Sequence, residues 1–288
     1  MIITLGNQPS GQNGAAIYDV QADGTLTYEF TLSEQGNHNA PLHMTSGEIV
    51  IGGADAAFGD DWTAANIYVK DAGVWTKKRT LPNVIHTVGA CEHGGKLYVG
   101  TGSHTGDNAT WIGEVFWSDD FGDTWLGSSV VTSYRVMDIA SFSGKLYTQD
   151  TTYYTNQVHV SSDGGVSWSE VTGIVPRPRP RMLEYGGSLL IVKQDLLGFA
   201  TINDVGETSA VDTPLIISYV AFNVAVAVGS DLYVLCGSQS DRIYRYDGAA
   251  WSYHCYLGEM CCSLLNFDDE FLIASTVGVD AKILKVQL

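Results

Sequence analysis

Seven arginines stand in a chain that carries 32 acidic residues, so their placement is informative. Three of them, Arg177, Arg179 and Arg181, alternate with proline across residues 175–181. Proline fixes φ and denies this stretch a helix, so the guanidinium groups are presented from an extended chain at little entropic cost. A guanidinium fork suits carboxylate or phosphate. His38, His86 and Arg135 share another regularity: each lies nine residues before the glycine (Gly47, Gly95, Gly144) that opens an apolar run. In the next such run the same count reaches Pro178, between Arg177 and Arg179. Trp62 and Trp111 stand in two long polar stretches, 52–65 and 101–113, with Tyr154 and Glu259 in shorter ones. Aromatic faces beside carboxylates and amides are the chemistry of a sugar or polar-peptide surface. The candidate ligand-binding residues are therefore His38, His86, Arg135, Arg177, Arg179, Trp62, Trp111, Tyr154 and Glu259.

No catalytic residue is assigned. Nucleophile-elbow, phosphate-loop, dinucleotide and zinc-protease motifs are missing from the sequence. An opposed carboxylate pair, Asp55 or Asp61 with Asp150, Asp195 or Glu259, is the route by which the chain would act as a glycosidase. The five cysteines (Cys91, Cys236, Cys255, Cys261, Cys262) show no zinc spacing and fall mostly in apolar runs, which predicts buried free thiols, no metal and no cofactor.

The elements that hold these residues follow from a repeat. Gly95-Lys96-Leu97-Tyr98-Val99-Gly100 has counterparts centred on Ile3, Ile49, Leu146, Leu189, Leu232 and Phe271, at intervals of 39 to 49 residues. Each copy is followed by a second apolar run and an Asp/Gly turn, and all but the first is preceded by another apolar run. Periods of this length with several strands each indicate a β-propeller. The expected fold is all-β: a single propeller over 1–288 with four-stranded antiparallel blades, seven in number, or six with extra terminal strands. In such a fold the loops between second and third strands, and those between blades, gather on one face.

The 288 residues are 45% hydrophobic and only 16% charged, enough for a large core. A net charge of -17 argues against nucleic acid and anionic membrane as partners. No apolar run reaches the roughly 18 residues of a membrane helix, so membrane insertion is not expected. No export signal is visible, so the expected location is cytoplasmic or virion-associated.

Two turns are more specific. Ser118-Asp119-Asp120-Phe121-Gly122-Asp123-Thr124-Trp125 and Ser161-Ser162-Asp163-Gly164-Gly165-Val166-Ser167-Trp168 both read S-x-D-x-G-x-x-W. This pattern resembles the Asp-box of the bacterial-neuraminidase-repeat propellers, which include sialidases and many non-enzymatic modules. The resemblance implies a structural role for Ser118, Asp120, Gly122, Trp125, Ser161, Asp163, Gly165 and Trp168, on the face opposite the usual ligand site. It covers two good copies and several worn ones. The chain departs from sialidases in lacking an Arg-Ile-Pro motif and any arginine before Arg79. The expected function is thus non-enzymatic: a propeller that recognises a glycan, an anionic ligand or a protein partner in a larger assembly. By analogy alone, a phage tail or receptor-recognition protein of a virion fits. A sialidase-like or other glycoside hydrolase is the alternative.

Overall fold

The computed structural model describes all residues except 1, 6–14, 33–34, 37–40, 56–65, 79–80, 82–83, 105–110, 152–154, 178–180, 218–223, 269 and 277–282. The described residues form seven antiparallel sheets and no helix. The fold is a seven-bladed β-propeller rather than a six-bladed one. None of the described segments is a helix long and apolar enough to cross a membrane.

Two compact units divide the chain, Met1–Val171 and Thr172–Leu288. In the first unit, blade one is formed by Ile2–Leu5, Ala16–Val20 and Leu26–Thr31, and blade two by Leu42–His43, Ile49–Gly52, Ile67–Asp71 and Val74–Lys77. Blade three is built on Val84–His93, Lys96–His104, Trp111–Ser118 and Gly127–Thr132, and blade four on Arg135–Phe142, Lys145–Thr151, Asn156–Ser161 and Ser169–Glu170. In the second unit, blade five comprises Leu183–Tyr185, Ser188–Val192, Gly198–Asn203 and Thr208–Asp212, and blade six Ala225–Val228, Asp231–Cys236, Arg242–Tyr246 and Trp251–Tyr256. Blade seven has Cys261–Asn266, Phe271–Thr276 and Ile283–Gln287. Among the described residues the first sheet has no leading strand and the last no trailing one, as the repeat implies.

The first two strands of a blade are joined by turns such as Gly94-Gly95, Ser143-Gly144 and Gly186-Gly187, with positive φ at both residues. That is the two-residue hairpin geometry whose twist matches the strands, and glycine adopts it without strain. The second strands are buried on both faces: Leu97, Leu146 and Leu232 are fully enclosed and Leu189 nearly so. Outer strands such as Val74–Lys77 and Thr208–Asp212 are mostly exposed. Each enclosed leucine contributes about 1.5–3 kcal/mol, so the second strands supply much of the core.

Both S-x-D-x-G-x-x-W turns are wired alike. The Ser118 hydroxyl accepts the Gly122 N–H (2.8 Å) and donates to Asp120 Oδ1 (2.7 Å), which also accepts the Thr124 N–H (2.8 Å). The Ser161 hydroxyl accepts the Gly165 N–H (2.8 Å) and donates to Asp163 Oδ1 (2.7 Å), which accepts the Ser167 N–H (2.9 Å). Each turn then grips the preceding blade. Trp125 joins the cluster of Val50, Ile67 and Val69, and Lys78 pairs with Asp123. Trp168 Nε1 donates to Ser129 Oγ, while Tyr98 Oη donates to the Gly164 carbonyl. Two weaker copies act the same way: Trp75 Nε1 donates to Glu29, and Trp251 Nε1 donates to the Asp212 carbonyl. The tryptophan after the turn is a fastener between blades.

One departure from the repeat bears on the site. The stretch after Gly52, expected as a plain loop, contributes Ala54–Asp55 as a short strand, which pairs with His86 in blade three and with Gln35–Gly36. Thr87 donates both its N–H and its hydroxyl to the Gly53 carbonyl. Blade three thus carries two extra strands on its inner side. All five cysteines are free; Cys91, Cys236 and Cys261 are buried, Cys255 and Cys262 partly so. Burial pushes the thiols of Cys236 and Cys261 up to about 12.

Candidate functional site

In the first unit, strand register puts three of the predicted residues at one end of their sheets. His86 pairs with Gly102, Trp111 with His104, and Arg135 with Thr151. The opposite ends hold the pairs Leu97 with Ser118 and Leu146 with Ser161, where the S-x-D-x-G-x-x-W turns begin.

These side chains meet. The Arg135 guanidinium carbon lies 4.3 Å from the Trp111 ring centroid and 5.1 Å from that of Tyr134. Trp111 and Tyr134 are 5.3 Å apart, and the His86 ring lies nearly parallel to Trp111 at 6.4 Å. A cation over two rings gains about 0.5–2 kcal/mol and loses freedom of orientation, so its N–H donors are presented in a defined plane. Three glycines of blade three make the approach possible. A Cβ on Gly100 would lie 2.6 Å from Val136 Cγ1, and one on Gly102 would lie 2.8 Å from Arg135 Cγ. One on Gly113 would meet the Thr132 methyl at 2.3 Å and the Arg135 backbone at 2.9 Å. Tyr134 was not among the predicted residues. The signal that could have found it is its place immediately before a residue at the repeated register.

In the second unit, the loops show a repeated clamp. Leu196 and Ser240 both adopt positive φ. The carbonyls of Leu196 and Leu197 accept the N–H groups of Ile217 and Thr213, and those of Ser240 and Asp241 accept Cys261 and Leu257. Each clamp holds the connection that leads into the next blade. Glu259 sits exposed inside the second of them. Half-buried Arg177 donates its backbone N–H to the Val192 carbonyl. His38, Trp62, Tyr154 and Arg179 lie outside the described residues.

Two of the carboxylates considered for a glycosidase have other engagements. Asp150 is fully buried; its Oδ2 is 2.6 Å from His159 Nδ1 and accepts from the Thr148 hydroxyl (3.2 Å). Burial raises its pKa, opposed by the His159 contact, while the hydrogen bond to Asp150 raises that of His159. Asp195 accepts the Leu197 N–H at 2.9 Å and lies 3.8 Å from Lys193. The side chain of Asp55 and the whole of Asp61 are outside the description. Among the described residues there is no cluster of three or more metal-ligating side chains.

No protein-family model matches the chain, and no curated protein matches it. The likeness to the Asp-box is therefore one of local sequence and turn. Many solved structures share the fold. A catalytically inactive virginiamycin B lyase from Staphylococcus aureus, crystallised with quinupristin, is 16% identical with a TM-score of 0.64, covering 100% of this chain and 98% of that one. A streptogramin B lyase is 14% identical with a TM-score of 0.60, covering 95% and 93%. A chain of a nidogen–laminin complex is 9% identical with a TM-score of 0.53, covering 85% and 88%. At these identities the likeness extends to the fold alone.

Proposed function

We propose that this propeller is a non-enzymatic binding module whose recognition centre in the first unit is Arg135, braced by Trp111 and Tyr134 with His86 alongside. The ligand is an anion, a carboxylate or phosphate borne by a glycan or by a partner protein. The observation that carries the reading is the guanidinium stacked against two rings beside three glycines that admit it. A flat, oriented fork favours a planar or tetrahedral anion over a point cation or an apolar group. Arg177 and Arg179 belong to the same reading as further anion contacts in the second unit. The engagement of Asp150 and Asp195 elsewhere weighs against a carboxylate-pair hydrolase. Propellers of this fold occur both with a small ligand and in a protein complex. Membership of the Asp-box family, and service in a larger assembly such as a phage tail or virion, rest on the turns and on analogy.

The test is capture of an acidic glycan and phosphopeptide panel by wild type, Arg135→Lys and Arg135→Ala. Alanine is expected to cost about 2 kcal/mol, roughly thirtyfold in affinity, with lysine between. Unchanged capture by Arg135→Ala overturns the centre. Turnover of any glycan by the intact protein overturns the non-enzymatic reading.

A further inference from the structure

The second unit contains an open cleft of about 730 Å³, lined by Ile174, Val175, Lys193, Asp195, Ala200 and Ser209 among others. Its origin lies in a break in the repeat. The residue on the third strand opposite the middle of the second strand is Tyr68 in blade two, facing Ile51. It is Phe116 in blade three, facing Val99, and His159 in blade four, facing Thr148. In blade six it is Tyr244, facing Val234. Blade five places Ala200 there, opposite Ile191, and its outer neighbour is Ala210. The two three-stranded blades carry Ala16 and Lys285 at this register. In blades two and three the ring is buried within the hydrophobic clusters, with Tyr68 at 2% exposure and Phe116 at 6%. Blade five has the surrounding strands without the ring.

Lys193 and Asp195 line the cleft, and Lys193 also reaches Asp212, which is outside the lining. Lys193 Nζ lies 2.8 Å from Asp212 and 3.8 Å from Asp195, so one ammonium faces two carboxylates and one negative charge is left over. Asp195 and Asp212 are both largely exposed, at 54% and 79%. Thr208, on the same face as Ala210, adds a hydroxyl to the lining; the Ser209 hydroxyl is engaged with Thr201. A cleft of this volume, with a small-residue floor and a few convergent polar groups, is of the size that takes a small molecule.

We infer that the Ala200 cleft of blade five is a binding site for a small aromatic amine, whose ring takes the place that Tyr68, Phe116, His159 and Tyr244 fill in the sister blades. The amine answers the surplus carboxylate beside Lys193. This site lies within the second unit and is independent of the Arg135 centre.

The experiment is a titration of the full chain with tyramine and with 4-hydroxyphenylacetate, followed by chemical-shift changes and calorimetry. Tyramine should bind and the acid should bind more weakly. Ala200→Phe, which restores the ring of the repeat, should keep the fold, checked by its melting temperature, and weaken tyramine by about tenfold or more. Ala210→Trp fills the same space from an exposed position and should do likewise if Ala200→Phe folds poorly. Absence of tyramine binding by wild type, equal or stronger binding of the acid, or undiminished binding by the filled variants overturns the inference. Arg135→Ala should leave tyramine binding unchanged, so the two sites fail separately.

Discussion

Ser161→Ala removes one oxygen from a turn in which that oxygen has several duties. At 1% exposure, its hydroxyl accepts the buried Gly165 N–H at 2.8 Å and donates to Asp163 at 2.7 Å. Alanine leaves the Gly165 donor without its acceptor, at a cost of about 1–3 kcal/mol for a buried unsatisfied group. Asp163 keeps its bonds from Val166 and Ser167, so the turn is weakened rather than abolished. A net loss of about 2 kcal/mol is expected, which lowers the melting temperature by about 4–8 °C for a unit of this size. Urea and thermal unfolding of Ser161→Ala measure it, with Ser162→Ala, an exposed neighbour, as control. Ser118→Ala should behave alike, since its wiring matches, and the double variant should be close to additive because the turns belong to different blades. A Ser161→Ala protein within about 0.5 kcal/mol of wild type, or no different from Ser162→Ala, would show that the turn is not a fastener.

Hydrogen bonds from Ser167 and Ser161 hold the Asp163 carboxyl down at about 2, below its ordinary 3.8. Its contribution to stability is therefore complete above about pH 4 and lost as pH falls toward about 2; Asp163→Asn should flatten that limb of an acid-unfolding curve, and an unchanged limb contradicts the assignment. His159→Ala strands the buried Asp150 carboxylate and should cost about 3 kcal/mol, part of which Asp150→Asn recovers. His159 itself should titrate above the ordinary imidazole value by NMR, because Asp150 holds its proton. The stability it adds is full below about pH 6.5 and lost as pH rises through the raised value; a titration at or below the ordinary value refutes the pairing. Gly113→Ala drives a methyl into Thr132 and the Arg135 backbone. It should destabilise by about 1–3 kcal/mol and reduce anion capture with it; normal melting and capture together would show that the glycine is dispensable.

The strands and their order were legible because each depends on neighbours in sequence. The apolar runs around Leu97, Leu146 and Leu189 stand between turn residues that can take positive φ, and hairpins follow from that alone. The Ser118 and Ser161 turns were legible for the same reason, since serine, aspartate and glycine bond within eight residues of each other. The register that singled out His86 and Arg135 is a count along a repeat, and the sheets honour it.

What lies between blades was not legible. Tyr134 joins Arg135 and Trp111, and Ala54 pairs with His86, through contacts that no local pattern announces. By itself the sequence determined the repeat, the hairpins and the end of each sheet to which a residue belongs. These are properties of one chain segment and its own hydrogen bonds. Tertiary structure alone decided which side chains touch across blades and where a missing ring leaves a cleft. Those outcomes turn on the closeness of neighbouring sheets, which glycines such as Gly102 and Gly113 permit and side-chain volume at places such as Ala200 limits.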